Sequence, residues 1–308
     1  MIHKGVFMEQ AIVAIVGMGV VGSTAAHTLM LSTQGINIML VDINESKCKG
    51  EKQDLDDALS TSGSSTVFAG TLKDAGQADI IVITAGVPQK PGQTRLELLE
   101  TNKTIMSSIV EKMQPIKSSS IIIVVANPVD ILTLQVQKIA GLPQHQIFGS
   151  GTLLDTIRLK EILSATLEIN ADSINIDVLG EHGDTQFAVW STATVNGMPL
   201  ETLKKLTQIE RDEIEQAARN KAYEIIACKG STSFGIAACI ETYCHAILYN
   251  KKSIIPVSCY QALNEVCLSV PAVIGKKGVE QIMPLLLNQD EQEKMNKCIE
   301  TLKKYSAL

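Results

Sequence analysis

Short runs of β-branched and aliphatic residues alternate with longer stretches of helical period through the first half of the chain, and that alternation leaves few folds open. The runs lie at 11–16, 36–41, 66–69, 79–84 and 121–125; the helical stretches lie at 20–31, 45–59, 95–113 and 129–140. Several of these helices begin after Asn, Thr or Pro, residues suited to a helix start. Strands that are apolar nearly throughout need cover on both faces, which a parallel, doubly wound sheet supplies. The second half changes character. A helix at 152–167 precedes alternating runs at 173–179, 187–195, 253–260 and 269–274, with helices at 208–227, 236–249 and 289–304. The expected fold class is α/β, with a doubly wound parallel sheet in an N-terminal domain (9–150) and a mixed α+β C-terminal domain (151–308). The boundary falls at 149–151, where two glycines bracket Ser150.

Composition narrows what such a chain does. Of its 308 residues 45% are hydrophobic and 19% charged, enough for two packed cores and too apolar for a disordered tail. A net charge of −6 and 4% aromatic residues argue against nucleic acid as a partner, which calls for a basic face and stacking rings. The apolar runs stop far short of the roughly 20 residues that span a bilayer, so no membrane partner is expected. Residues 1–10 lack the apolar centre of a secretory signal. The seven cysteines, Cys48, Cys228, Cys239, Cys244, Cys259, Cys267 and Cys298, are odd in number, scattered, and include no Cys-x-x-Cys pair. They suggest neither a zinc site nor a disulfide framework, and fit small buried side chains in a reducing cytoplasm.

Directly after the first apolar run comes Gly17-Met18-Gly19-Val20-Val21-Gly22, opening the first helix. Strand, glycine turn and helix in that order make the Rossmann fingerprint. The first glycine allows the tight turn, the second lets a pyrophosphate approach the backbone, and the third lets helix pack on strand. Asp42, twenty residues after Gly22 at the end of the second run, is placed to accept hydrogen bonds from ribose hydroxyls. A carboxylate there repels a 2′-phosphate, so NAD is favoured over NADP; FAD shares the fingerprint. The plainer reading is a glycine turn that only packs helix on strand.

Further on, Gly180-Glu181-His182-Gly183-Asp184 sets a histidine between glycines after a strand. Histidine can both give and take a proton near neutrality. It needs an orienting partner and a substrate anchor, and Leu154-Asp155-Thr156-Ile157-Arg158 offers both, three positions apart on one helix. The plain reading is an intrahelical ion pair. The sharper one has Asp155 fixing the histidine tautomer and Arg158 clamping a carboxylate. The segment from Thr84 to Arg95, with two prolines and two glycines, leaves the carboxyl end of the fourth run, where ligands of open α/β sheets bind.

These motifs, with Asn127-Pro128-Val129-Asp130, the 149–158 segment and Lys229-Gly230-Ser231-Thr232, occur in one order from about Gln10 to the C-terminus. In this the chain resembles the L-lactate dehydrogenases of the lactate/malate dehydrogenase superfamily. The resemblance implies NAD as cofactor and a small 2-oxo or 2-hydroxy acid as substrate. It implies that His182 exchanges the proton, Asp155 is its partner, Arg158 holds the substrate carboxylate, and Arg95, on a closing loop, polarises the carbonyl. Asn127 would lie near substrate and nicotinamide, Thr232 would line the side-chain pocket, and Ile236 would lie against the nicotinamide. Around the cofactor the resemblance places Gly17, Gly19, Val21, Gly22, Asp42, Lys47, Thr84, Ala85, Gly86 and Val125. A non-catalytic nucleotide-binding protein has no need of His182, Asp155, Arg158 and Arg95 together.

Gln89 is the discriminating position, because malate enzymes of the superfamily carry arginine there. A buried carboxylate without a counter-charge costs several kcal/mol, so a site with Gln89 should prefer pyruvate to oxaloacetate. Branched-chain L-2-hydroxyacid dehydrogenases share His182, Asp155 and Arg158 and are the alternative; malate dehydrogenase is a weaker one. Bacterial relatives activated by fructose 1,6-bisphosphate carry an arginine where this chain has Lys160 and a histidine where it has Asn175, so weak or absent activation is expected. Gln93 stands where lactate dehydrogenases often have Glu. The resemblance also implies a homotetramer, although the superfamily contains dimers.

Overall fold

The structure is a computed structural model, and it describes residues 10–62, 65–87 and 95–306. The first half runs β1 (Ile12–Val16), α1 (Val20–Ser32), β2 (Asn37–Val41), α2 (Glu45–Ser62), β3 (Thr66–Ala69), α3 (Leu72–Ala75), β4 (Ile80–Ile83), α4 (Arg95–Met113), β5 (Ile121–Val124), α5 (Val129–Ile139) and β6 (Ile147–Gly149). All six strands are parallel, in the order β3-β2-β1-β4-β5-β6. The chain therefore reverses its direction of winding between β1 and β4, and a crevice opens beyond their carboxyl ends.

The continuous apolar runs are explained by what each face meets. Val13, Ile15, Ile80, Val82, Ile121 and Ile123 point into a core shared with α1 and the later helix α9 (Phe234–Leu248). Their neighbours Ala14, Val16, Ile81, Ile83, Ile122 and Val124 point into a second core built with α4 and α5. Burying one aliphatic side chain of this kind contributes roughly 1.5–3 kcal/mol, so both faces are firmly held.

The second half adds α6 (Leu153–Leu167), β7 (Ile174–Asn175), β8 (Val178–Leu179), β9 (Phe187–Ala188), β10 (Thr194–Val195), β11 (Met198–Pro199), α7 (Leu200–Leu203), α8 (Gln208–Lys229), then α9, β12 (Ser253–Gln261), β13 (Val266–Gly275), β14 (Gly278–Ile282) and α10 (Gln289–Ser306). The sheet does not stop between the halves. Antiparallel β12, β13 and β14 extend it to nine strands, joined to β6 through one pairing, Ser258 with Gly149. Helix α9 crosses back as well. Thr33 Oγ1 and His245 Nε2 lie 2.8 Å apart between α1 and α9, and the Tyr243 hydroxyl donates to Ser150 O at 2.6 Å. A third core, with Leu159, Leu163, Ile174, Trp190 and Ile214, lies under α6 and α8.

Two expected strands are broken. The 173–179 run forms β7 and β8, which belong to different sheets, and the 187–195 run forms β9 and β10 around a 3-10 turn at Trp190–Thr192. At that turn the Trp190 indole N–H donates to Glu215 of α8 at 2.7 Å, and the Ser191 N–H and hydroxyl both donate to Glu291 of α10. Side chains on two helices thus replace the ladder. Among the described residues no helix is long and apolar enough to cross a membrane. Six of the cysteines are buried, and Cys228 is exposed.

Candidate functional site

The glycine turn sits at the crevice. Gly17 has φ +104, and its N–H donates to Val41 O at 2.7 Å, binding the turn to β2. A Cβ at Gly17 would lie 2.6 Å from Ala85 N, and one at Gly22 would lie 1.9 Å from Gly17 O, so neither position admits a side chain. Gly19 is the opposite case. It caps α1 without any side-chain hydrogen bond, and a Cβ built on it would meet nothing within 4 Å. An open, unscreened helix N-terminus is what a diphosphate requires, and the turn fits a dinucleotide. Asp42 stands beside it, accepting from Met18 N–H at 2.7 Å and from Asn44 N–H at 2.9 Å.

Other residues expected around the cofactor converge on the same end of the sheet. The Thr84 hydroxyl donates to Gly17 O at 2.7 Å, and Ala85 N–H bonds Val16 O. Val125 is buried just after β5, Val21 is half-buried in the first turn of α1, and Lys47 is exposed in the first turn of α2. Gly86 would bring a Cβ to 3.3 Å from Ala126 and 3.4 Å from Asn102. Ile236, half-buried, lies in the first turn of α9, and half-buried Thr232 precedes that helix. Gln89 and Gln93 lie outside the described residues, as does the side chain of Arg95, whose backbone opens α4.

The histidine is assembled from the second half. Thr152 Oγ1 donates to Val178 O and Thr156 Oγ1 accepts from Val178 N–H at 2.9 Å, so two hydroxyls one turn apart fasten α6 to β8. Gly180 exchanges both backbone hydrogen bonds with Ser269 of β13. The loop that follows is thereby held over α6, with His182 Nδ1 2.8 Å from Asp155 Oδ2. Asp155 is 3% exposed and the His182 side chain 26%, so the carboxylate is enclosed while the ring keeps an open side. With Nδ1 engaged, Nε2 is the nitrogen left to exchange a proton.

Electrostatics reinforce that geometry. Burial works to raise Asp155, but the imidazole and the Arg158 guanidinium outweigh it and hold the carboxyl below its usual range. Burial likewise works to lower His182, and the Asp155 carboxylate reverses this and raises it. Arg158 is 7% exposed, with Nη1 3.4 Å from Asp155 Oδ1. Among the described residues no other carboxylate lies within 4.0 Å of its guanidinium. A buried guanidinium with one distant partner has bidentate capacity left for an incoming carboxylate. His182, Asp155 and Arg158 can therefore move a proton beside a bound organic acid.

Two residues without a role in the sequence reading complete the surroundings. Asn102 of α4, 2% exposed, exchanges hydrogen bonds with Val87 and donates to Asn127 O at 2.8 Å, tying the start of the 84–95 segment to the exposed Asn127. Asp130, 3% exposed in the first turn of α5, accepts from His182 N–H at 2.7 Å and from the Ser258 hydroxyl at 2.5 Å. Asp130 was in view within the Asn127–Asp130 motif. Its partners lie 52 and 128 positions away, so no spacing signals them.

Comparison with known proteins agrees over nearly the whole described chain. The family model for the lactate/malate dehydrogenase NAD binding domain matches residues 11–149, and that for the lactate/malate dehydrogenase alpha/beta C-terminal domain matches 152–307. The chain is 43% identical over 291 residues to L-lactate dehydrogenase A of Rhizopus oryzae, covering 94% of this chain and 91% of that one. It is 39% identical over 300 residues to the L-lactate dehydrogenase of Acetivibrio thermocellus, covering 94% and 95%. The solved structure of a minor L-lactate dehydrogenase from Enterococcus mundtii superposes with a TM-score of 0.92 at 34% identity, covering 97% of this chain and 98% of that one. The chain belongs to the lactate/malate dehydrogenase family.

Proposed function

We propose that the chain is an NAD-dependent L-lactate dehydrogenase. The observation that carries this is the enclosed Asp155 between His182 and Arg158, at the crevice where the glycine turn fits a dinucleotide. In this reading residues 9–150 hold NAD, and residues 151–308 supply the proton exchange and the substrate anchor. When bound, NADH supplies the hydride that reduces the 2-oxo carbon. Arg158 pairs with the substrate carboxylate, and protonated His182 gives its Nε2 proton to the carbonyl oxygen. Asp155 keeps Nδ1 protonated and stabilises the imidazolium before transfer. Arg95 stabilises the oxygen as negative charge develops, and Asn127 and Thr232 bound the substrate. Gln89, neutral, leaves a second substrate carboxylate without a counter-charge and so disfavours oxaloacetate; pyruvate is the proposed substrate. The cofactor contacts are those of Gly17, Gly19, Val21, Gly22, Asp42, Lys47, Thr84, Ala85, Gly86, Val125, Asn127 and Ile236. The working enzyme is a cytoplasmic homotetramer, a reading supported by the family alone.

One substrate panel tests this. NADH oxidation followed at 340 nm (the ordinary nicotinamide absorbance) should give the highest kcat/KM with pyruvate, ahead of 2-oxoisocaproate and oxaloacetate. Preference for either of the others would refute the assignment. Light scattering on the purified protein tests the tetramer.

A further inference from the structure

Among the described residues, Asp130, Glu181 and Glu291 are buried carboxylates that the mechanism does not use, and Asp130 is the one that accepts from the His182 backbone. Asp130 sits in the first turn of α5, where helix N–H groups favour an anion and the N-cap residue, Pro128, offers no side-chain hydrogen bond. One of its oxygens accepts from the His182 backbone and the other from Ser258 of β12. It is thus fixed at the junction of the two halves and joined to the residue that carries the reactive ring. Asp130, His182 and Glu181 also face a small cavity with Leu99, Leu302 and Tyr305. Apolar walls of this kind let a charge act over a longer distance than water would.

We propose that Asp130 is a positioning residue for the reaction: it anchors the turn that carries His182 and sets a second fixed negative charge beside the imidazole. This rests on His182 being the proton donor. Asp155 acts from the Nδ1 side and Asp130 from the backbone side, so the two carboxylates favour the imidazolium together while Arg158 opposes it. Among the described residues, the other ionisable groups near Asp130 include Glu181 on the His182 loop, Tyr305 of α10 across the cavity, Cys259 on β12, and Cys267 and Cys298 from β13 and α10. Burial raises all three thiols, which leaves them neutral near pH 7.

The test compares wild type, Asp130→Asn, Ser258→Ala and His182→Gln. Asn keeps an acceptor for the His182 N–H and removes the charge. Proton NMR titration follows the imidazoles directly; with five histidines in the chain, the resonance missing from His182→Gln assigns the one of interest. In Asp130→Asn the His182 titration should fall by roughly half a pH unit to one unit. The alkaline limb of kcat/KM for pyruvate should move down with it, as should the acid limb for lactate oxidation, while NADH affinity stays unchanged. Activity lost with the titration unmoved would mean a purely structural role and overturn the proposal, as would no change at all. If Asp130→Asn does not fold, Ser258→Ala decides: a smaller shift in the same direction supports the proposal, and an unmoved titration overturns it. If His182→Gln keeps its turnover, the proton-donor reading fails separately, and the imidazole titration still judges Asp130.

Discussion

Two carboxylates flank His182, and their own titrations run in opposite senses. Burial pushes Asp130 up to about 6, against the pull of the Ser258 hydroxyl and the His182 N–H. Its folded value lies above the unfolded 3.8, so its contribution to stability is full below pH 3.8 and is lost as pH rises through about 6. Asp155 is held below 3.8, so its contribution is present above that pH and is lost on acidification. Relative to wild type, Asp130→Asn should therefore gain stability as pH rises from about 4 to about 7, read as the difference in Tm across a pH series. Asp155→Asn should show no such gain. For catalysis, His182→Ala should lower turnover by about two to four orders of magnitude with NADH affinity nearly intact, measured by steady-state kinetics and fluorescence titration. Gln89→Arg should move the kcat/KM ratio from pyruvate towards oxaloacetate.

At the scale of elements, the glycine turn makes the sharpest demand. Gly22→Ala puts a methyl 1.9 Å from Gly17 O, so α1 must back away from β1; the expected result is a rise in the Kd for NADH of at least about tenfold, by fluorescence titration. The inner parallel strands β1, β2, β4 and β5 were legible because each is buried on both faces and needs no alternation. The glycine turn, Asp155, Arg158 and His182 were legible because the chemistry constrains their type and near spacing. β6 and β14 were not: one has three residues, and the other carries Glu280 and depends on pairing with β13. The breaks at Trp190 and Ser191 were hidden for a similar reason, since Glu215 and Glu291 lie on helices far along the sequence. Asn102 and Asp130 act on the backbone of distant residues, which leaves no local pattern.

The whole molecule carries a net charge of −6, yet NADH and pyruvate are both anions. On the proposed reading the attraction is local, from Arg158, Arg95 and the N-terminus of α1. A remote anion site of the bisphosphate-activated kind has little to offer: Lys160 is half-buried with Asp177 as its electrostatic partner, and Asn175 is exposed and neutral. Saturating fructose 1,6-bisphosphate should lower the pyruvate KM by less than about tenfold, and a larger effect would show a site elsewhere. The pairing of Gly149 with Ser258 bears on recombining such enzymes. Ser258 also donates to Asp130, and Asp130 holds His182. A chimera crossed over at residue 150 would take Asp130 and Gly149 from one parent and His182 and Ser258 from the other. Parents that differ at Asp130, Gly149 or Ser258 should give hybrids that still bind cofactor but transfer protons poorly.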